Sequence, residues 1–267
     1  MNSPLFDCKA CLTLAASVAR SAAIPLLADR LESREERNCS DRDMKLCADL
    51  EAETVILDRL SRETNFAIIS EEAYKGEDLS DCVGPYWIVD PLDGTYNFGR
   101  RIPVCCISIA LWSEGKPLIG VVYDFNSDIM YEGEVGHGAY RNGVRIAVAQ
   151  PVVSKHAVLF TGLPVAGNFS LRAIEAFSAR ILGFKKVRML GSAALSLSLV
   201  SSGSGDVYYE EGIRIWDVAA GLALILAAGG RFSIEYCDKE KTICNVSAGS
   251  CLESMCSLNL GQNEITI

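Results

Sequence analysis

The chain has 267 residues, 49% of them apolar or aromatic and 22% charged, a composition that excludes intrinsic disorder and collagen-like repeats. Its 34 acidic side chains against 25 basic ones give a formal net charge of −9, with no Lys/Arg-rich run, so direct nucleic-acid binding through a basic stripe is not expected. The length allows one large layered domain or two halves around a sizeable core.

Eleven cysteines, an odd number, and an N-terminus without the basic-then-apolar layout of a secretory signal predict reduced thiols and a cytoplasmic location. The longest uninterrupted run of small and apolar residues, 218–230, falls short of the ~18 needed to cross a bilayer, so no membrane span is expected.

Leu and Ala recur at three- and four-residue spacing over residues 5–32, which predicts a long amphipathic helix bent at Pro25. A second helix follows over 48–62, with Leu50, Val55, Ile56 and Leu60 as core candidates and acids in its first turn. Two helices therefore precede any strand. Short β-branched and apolar runs then predict strands at 67–70, 87–89, 104–112, 118–123, 129–134 and 139–141, a mixed or antiparallel sheet.

After Pro151 the pattern alternates: strand 157–161, helix 170–181, strand 186–189, helix 192–201, strand 207–209 and helix 216–228. This order favours one layered α+β fold over a doubly wound sheet, with an N-terminal half of about 1–147 and an α/β half of about 148–267. The tail from Cys237 to Ile267 has few periodic apolar stretches and supports no assignment. No G-x-G-x-x-G or G-x-x-x-x-G-K-[ST] is present, so dinucleotide and P-loop sites have no support.

Chemistry concentrates in three acidic islands. In Trp87-Ile88-Val89-Asp90-Pro91-Leu92-Asp93-Gly94-Thr95 an apolar strand ends in two acids, with Pro91 setting the turn between them. Asp90 and Asp93 so placed can share or bridge hard cations, and Gly94-Thr95 opens a turn or short helix whose amides suit phosphate. The others are Ile69-Ser70-Glu71-Glu72 at a strand end and Trp216-Asp217 at the start of an apolar helix, where an Asp also reads as an ordinary N-cap.

These motifs resemble the inositol monophosphatase family of magnesium-dependent, lithium-sensitive sugar phosphatases. Its signature D-P-[IL]-D-G-T-x-N-F stands here as Asp90-Pro91-Leu92-Asp93-Gly94-Thr95-Tyr96-Asn97-Phe98. The family's G-E-E is here Ser70-Glu71-Glu72, and its W-D-x-A-[AG]-G is Trp216-Asp217-Val218-Ala219-Ala220-Gly221. The resemblance spans nearly the whole chain and implies a five-layer α-β-α-β-α sandwich of the inositol monophosphatase and fructose-1,6-bisphosphatase type.

It further implies two or three Mg²⁺ ions held by Glu71, Asp90, the Leu92 carbonyl, Asp93 and Asp217, an oxygen-only set that suits a hard cation. Water would be oriented by Glu71 and by Thr95 with Asp49 behind it. Asp49 is carried over from the family's D-x-V-T-x-x-D element, where this chain has Leu46 in place of threonine, and Asp49 also reads as a stabilising acid at a helix start.

Substrate contacts implied by the resemblance are Asp93, Gly94, Thr95, Gly191, Ser192, Ala193, Glu210 and Asp217, with Glu210 accepting from polyol hydroxyls. Glu210 also reads as a surface acid after a strand.

The expected function is hydrolysis of inositol monophosphate or a related polyol phosphate, with no membrane partner, and the resemblance implies a homodimer. The alternatives are fructose bisphosphate, 3′-phosphoadenosine phosphate, histidinol phosphate or NADP as substrate, or a non-catalytic regulatory binding role. Cys8 and Cys11 share a helix face and read as core thiols; Cys105-Cys106 alternate faces of a strand; His137 and His156 read as surface residues and Arg100-Arg101 as a solvated loop.

Overall fold

The computed structural model describes residues 6–31, 39–40, 43–44, 47–163, 170–250 and 264–265. Helix α1 (Cys8–Leu31) starts where the Asp7 carboxylate accepts the Lys9 and Ala10 amides, and Pro25 lies within it. The ends expected at Leu5 and Glu32 lie outside the described residues. By length and composition 8–28 is apolar enough to cross a membrane, contrary to the reading from uninterrupted runs. Here it behaves as a core helix: Ala15, Val18, Ala19, Ala22, Ala23 and Leu26 form a buried stripe against the first sheet.

The short strands β1 (Cys39–Ser40) and β2 (Asp43–Met44) pair antiparallel between α1 and α2 (Cys47–Glu63), so the expectation that two helices precede any strand does not hold. Helix α2 buries Asp49, Ala52, Glu53, Ile56 and Leu60, while Val55 is half-buried. Leu50, expected in the core, is 47% exposed, because the buried stripe at 49, 52, 53, 56 and 60 leaves its position on another face.

A seven-stranded sheet follows in chain order: β3 (Ala67–Ser70), β4 (Pro85–Asp93), β5 (Cys106–Ser113), β6 (Lys116–Asp124), β7 (Ile129–Glu134), β8 (Gly138–Arg141) and β9 (Val144–Ile146). Only β3 and β4 pair in parallel; every later pair is antiparallel. Helix α3 (Thr95–Gly99) branches from the end of β4.

The second sheet is six-stranded and mixed, in the order β11-β10-β12-β14-β13-β15. It contains β10 (Val158–Thr161), β11 (Lys186–Arg188), β12 (Val207–Arg214), β13 (Arg231–Tyr236), β14 (Ile243–Gly249) and β15 (Glu264–Ile265). Its helices are α4 (Leu171–Ile181), α5 (Ala193–Ser201) and α6 (Ile215–Ala227).

The C-terminal region thus supplies three strands that apolar runs did not reveal, β13, β14 and the short β15. In β13 and β14 the buried Phe232, Ile234, Cys244, Val246 and Ala248 are separated by Ser, Glu and Asn, so the core face shows only as alternation.

Three apolar clusters define the layers. One joins α1 and α2 to the outer face of the first sheet. The largest lies between the two sheets and contains α5 and α6. The third packs Leu159, Val207 and Tyr209 of the second sheet against the α4 side at Ile181 and Phe184. The architecture is the five-layer α-β-α-β-α sandwich.

Close approach makes the central layer possible. A Cβ at Gly120 of β6 would lie 2.2 Å from the Ala220 carbonyl of α6, and one at Gly221 would lie 2.4 Å from the Leu197 Cβ of α5. Cys105 and Cys106 are both fully buried, each in a different cluster, on opposite faces of the first sheet as their alternation predicts. Cys11 is buried and Cys8 half-buried, both free thiols.

Candidate active site

The three acidic islands meet at one edge of the first sheet. Strand β3 ends at Ser70, paired with Val89, and the Glu71 amide donates to the Val89 carbonyl at 3.2 Å. Beyond Val89, β4 has lost its β3 neighbour. Pro91 is tolerated there, since its missing N–H faces no partner strand and the β5 pairing shifts register between Asp90 and Asp93. The strand therefore runs through the proline to Asp93 instead of ending at the first acid.

The bulge aims Asp90 and Asp93 differently. The Asp90 Oδ1 accepts the Leu92 amide at 2.9 Å, and a carboxylate oxygen of Asp90 lies within 4.8 Å of one from Glu71 and one from Asp217 in the first turn of α6. Two unit charges at that spacing would repel by at least about 3.5 kcal/mol at an effective dielectric of about 20. Burial, then Glu71, Asp93, Asp217 and Asp49, push the Asp90 carboxyl well above the usual carboxylate range. Asp217 is pushed up for the same reasons, led by burial and by Glu71. Without a cation these groups resist full ionisation.

Asp93 lies three residues on and is held by donors. Its Oδ2 accepts the Ser192 hydroxyl at 2.5 Å, the Ala194 amide at 2.8 Å and the Cys106 thiol at 3.7 Å. It thus sits at the N-terminus of α5, where Ser192 is also the N-cap and accepts the Leu195 amide. Burial raises its pKa to about 6 against the lowering effect of these hydrogen bonds.

Gly94 has φ +88°, and a Cβ there would lie 2.7 Å from the Val104 carbonyl, so glycine is required for the turn into α3. The Thr95 hydroxyl donates to the Leu92 carbonyl at 2.9 Å, bringing two expected site atoms together and leaving that carbonyl a second lone pair. Asp49 is 2% exposed and raises Asp90, so α2 presents it towards the cluster. Leu46 lies outside the described residues.

A cavity of about 230 Å³ adjoins the cluster, lined among others by Asp93, Ser192, Ser196, Glu210, Ile213 and Asp217. Glu210 is not a surface acid: it is 7% exposed, accepts the Tyr208 hydroxyl at 2.9 Å, and is pushed up to about 7 by burial. Its strand, β12, runs on past the expected end at Tyr209 with a register shift between Glu210 and Ile213.

The model of the inositol monophosphatase family matches residues 7–249. The chain belongs to the inositol monophosphatase family. It is 41% identical over 191 residues to an inositol-1-monophosphatase of Mesorhizobium japonicum, covering 68% of this chain and 69% of that one. It is 34% identical to the Nus factor SuhB of Xylella fastidiosa, covering 83% and 81% of the two chains. The solved inositol monophosphatase of Anabaena superposes with a TM-score of 0.78 at 29% identity, over 94% of each chain.

The donor set fits the metal ions of this family. Glu71, Asp90 and Asp217 offer only carboxylate oxygens, and their mutual repulsion is the feature that a hard cation relieves.

Gly162 and Glu53 escaped notice in the sequence, and Asn97 was read there only as a member of the signature. Asn97 donates through Nδ2 to Val104 and Leu190 carbonyls, both at 2.8 Å, tying the signature turn to the loop that carries Gly191 and Ser192. Gly162 lies against Glu210, where a Cβ would stand 2.4 Å from Oε1. Glu53 of α2 accepts from Ser70 and Ala73, on either side of Glu71. Its signal was available: Glu53 lies four residues after Asp49, on the same helix face. The histidines bear no relation to the site; His137 pairs with Glu134 at the surface and His156 is exposed.

Proposed function

We propose that this chain is a magnesium-dependent phosphomonoesterase acting on inositol monophosphate or a closely related polyol phosphate. The observation that carries the reading is the convergence of Glu71, Asp90 and Asp217 within 4.8 Å beside a cavity that also holds Asp93 and Glu210.

Glu71, Asp90, Asp217, the Leu92 carbonyl and Asp93 would hold the ions. Magnesium, when bound, acidifies water and offsets negative charge on the phosphoryl oxygens. Glu71 and the Thr95 hydroxyl, with Asp49 behind them, orient the attacking water in line with the ester bond and accept its hydrogen bonds. The phosphorus–oxygen bond to the alcohol breaks as water adds; one water proton ends on the leaving oxygen and the other stays on phosphate. The amides at Gly94 and Thr95 donate to the phosphate.

The alcohol sits in the cavity, where Glu210 accepts from its hydroxyls and Gly191, Ser192 and Ala193 frame the opposite side. A volume of about 230 Å³ is below the ~300–1,000 Å³ of drug-sized pockets, which favours one sugar-sized ring over a dinucleotide.

Phosphate release from inositol 1-phosphate, fructose 1,6-bisphosphate, 3′-phosphoadenosine 5′-phosphate, histidinol phosphate and NADP tests this. Expected is Mg²⁺-dependent, Li⁺-inhibited turnover with inositol 1-phosphate preferred. Preference for another substrate would move the specificity and keep the chemistry.

A second reading, a regulatory binding role, draws on the relative named Nus factor SuhB. Silence across the panel, together with no thermal shift from Mg²⁺, would favour it.

A further inference from the structure

Glu71 occupies the turn immediately after β3, where its amide donates to the Val89 carbonyl. Its carboxylate oxygen lies within 4.8 Å of oxygens from Asp90 and Asp217. The turn that carries Glu71 must be held in place for the three to converge.

The restraint comes from α2. A single oxygen, Oε1 of Glu53, accepts the Ser70 hydroxyl at 2.6 Å and the Ala73 amide at 3.0 Å. These donors flank Glu71 and Glu72 on both sides, so one carboxylate clamps both ends of the turn. Ser70 is 2% and Glu53 7% exposed, which keeps both bonds in a low-dielectric interior where they are strong. Glu53 is not among the three carboxylates whose ligand atoms converge, nor among the groups that raise Asp90. It acts on the cluster through the main chain and not as a ligand.

Ser70 is where this chain departs from the G-E-E motif of its family. A glycine at that position has no hydroxyl, so the 2.6 Å bond to Glu53 is an addition made by the serine.

We propose that Glu53 is a positioning residue that presets Glu71 for cation binding, and that the Ser70 hydroxyl supplies a second strap. The inference rests on the metal-binding reading above. Because Asp49 lies one helical turn before Glu53 on the same buried face, the strap also fixes α2 in register with the Glu71 turn.

The test is calorimetric titration of the full chain with Mn²⁺, a hard divalent probe, alongside metal-free melting curves. Removing an outer partner of a metal ligand typically weakens metal affinity about 10–100-fold, and that loss is expected for Glu53→Ala. Ser70→Ala, which removes one of the two bonds, should lose up to about tenfold. Glu53→Gln keeps the accepting Oε1 and should stay within about threefold of the unaltered chain, a rescue that a charge-based role would not permit.

Unchanged Mn²⁺ affinity in Glu53→Ala and Ser70→Ala would overturn the proposal. So would a loss in Glu53→Gln as large as in Glu53→Ala. Should Glu53→Ala fail to fold, the contrast between Ser70→Ala and Glu53→Gln decides alone: weakening in the first with retention in the second supports the strap, and any other pattern refutes it. If the unaltered chain takes up no Mn²⁺, the metal reading itself fails; if it does and the variants match it, only the strap fails.

Discussion

Asp90 and Asp93 stand three residues apart on one strand, yet their surroundings are opposite. Asp90 faces Glu71 and Asp217, whereas Asp93 receives a hydroxyl, a thiol and helix amides at the start of α5. In the reading proposed above both would hold cations, but Oδ2 of Asp93 is also anchored by donors of the protein. Both are buried, so burial alone does not tell how a carboxylate is held. The donors around each oxygen do.

The contrast is sharpest in Asp90→Asn. Loss of a ligand charge should cost more than the ~100-fold that outer partners typically cost, measured as Mg²⁺-dependent phosphate release. The same substitution keeps an acceptor for the Leu92 amide while removing like-charge repulsion. The metal-free melting temperature should therefore rise by about 2–5 °C. A fall would mean that Asp90 is already satisfied without a cation.

Asp93→Ala should behave in the other direction. It strands the Ser192 hydroxyl and the Ala194 amide, and a hydrogen bond to a charged group is worth about 1.5–3 kcal/mol, so metal-free stability should drop by that order in chemical denaturation. Equal metal-free stabilities for the two variants would erase the distinction drawn between the two acids.

On the other side of the cavity, Glu210→Gln keeps an acceptor for the Tyr208 hydroxyl but removes a charged acceptor for substrate. KM for inositol 1-phosphate should rise about tenfold, the worth of one charge-assisted hydrogen bond, with little change for a phosphate ester whose alcohol has no neighbouring hydroxyl. A uniform loss on both substrates would place Glu210 outside substrate recognition.

The smallest effect is in pH. Asp93 at about 6 and Glu210 at about 7 both lie above the usual carboxylate range, so the folded state binds protons more tightly than the unfolded one. The stability this contributes is complete below about pH 4, the unfolded range, and is lost as pH rises through about 6 and 7. Metal-free melting temperature should fall by a few degrees across that window. Saturating Mg²⁺ should flatten or reverse the fall, because cation binding displaces the same protons.

Much of this site was legible as short motifs. The run from Asp90 to Thr95, the pair Glu71-Glu72 and Trp216-Asp217 each carry unusual acids beside apolar residues, and the alternation of elements after Pro151 follows from period alone. Local rules also located Ser192 as a helix start. The strands β13 and β14 were not legible, because Ser, Glu and Asn interrupt their apolar face, and Leu50 was misplaced by one position in helical phase.

The roles of Glu53 and Asn97 were not legible, because their hydrogen bonds span 17 and 93 residues; only the spacing of Glu53 from Asp49 and the place of Asn97 in the signature showed.

The amino-acid sequence by itself determined which residues could bind a hard cation, most of the helices and the strands of the first sheet, and, through three motifs, the family. Only the tertiary structure decided which carboxylates share charge and which are anchored. A carboxylate's role depends on what lies within a few ångströms of its oxygens, and here those neighbours come from β3, β4, α5 and α6, brought together by the packing of two sheets around a central helical layer.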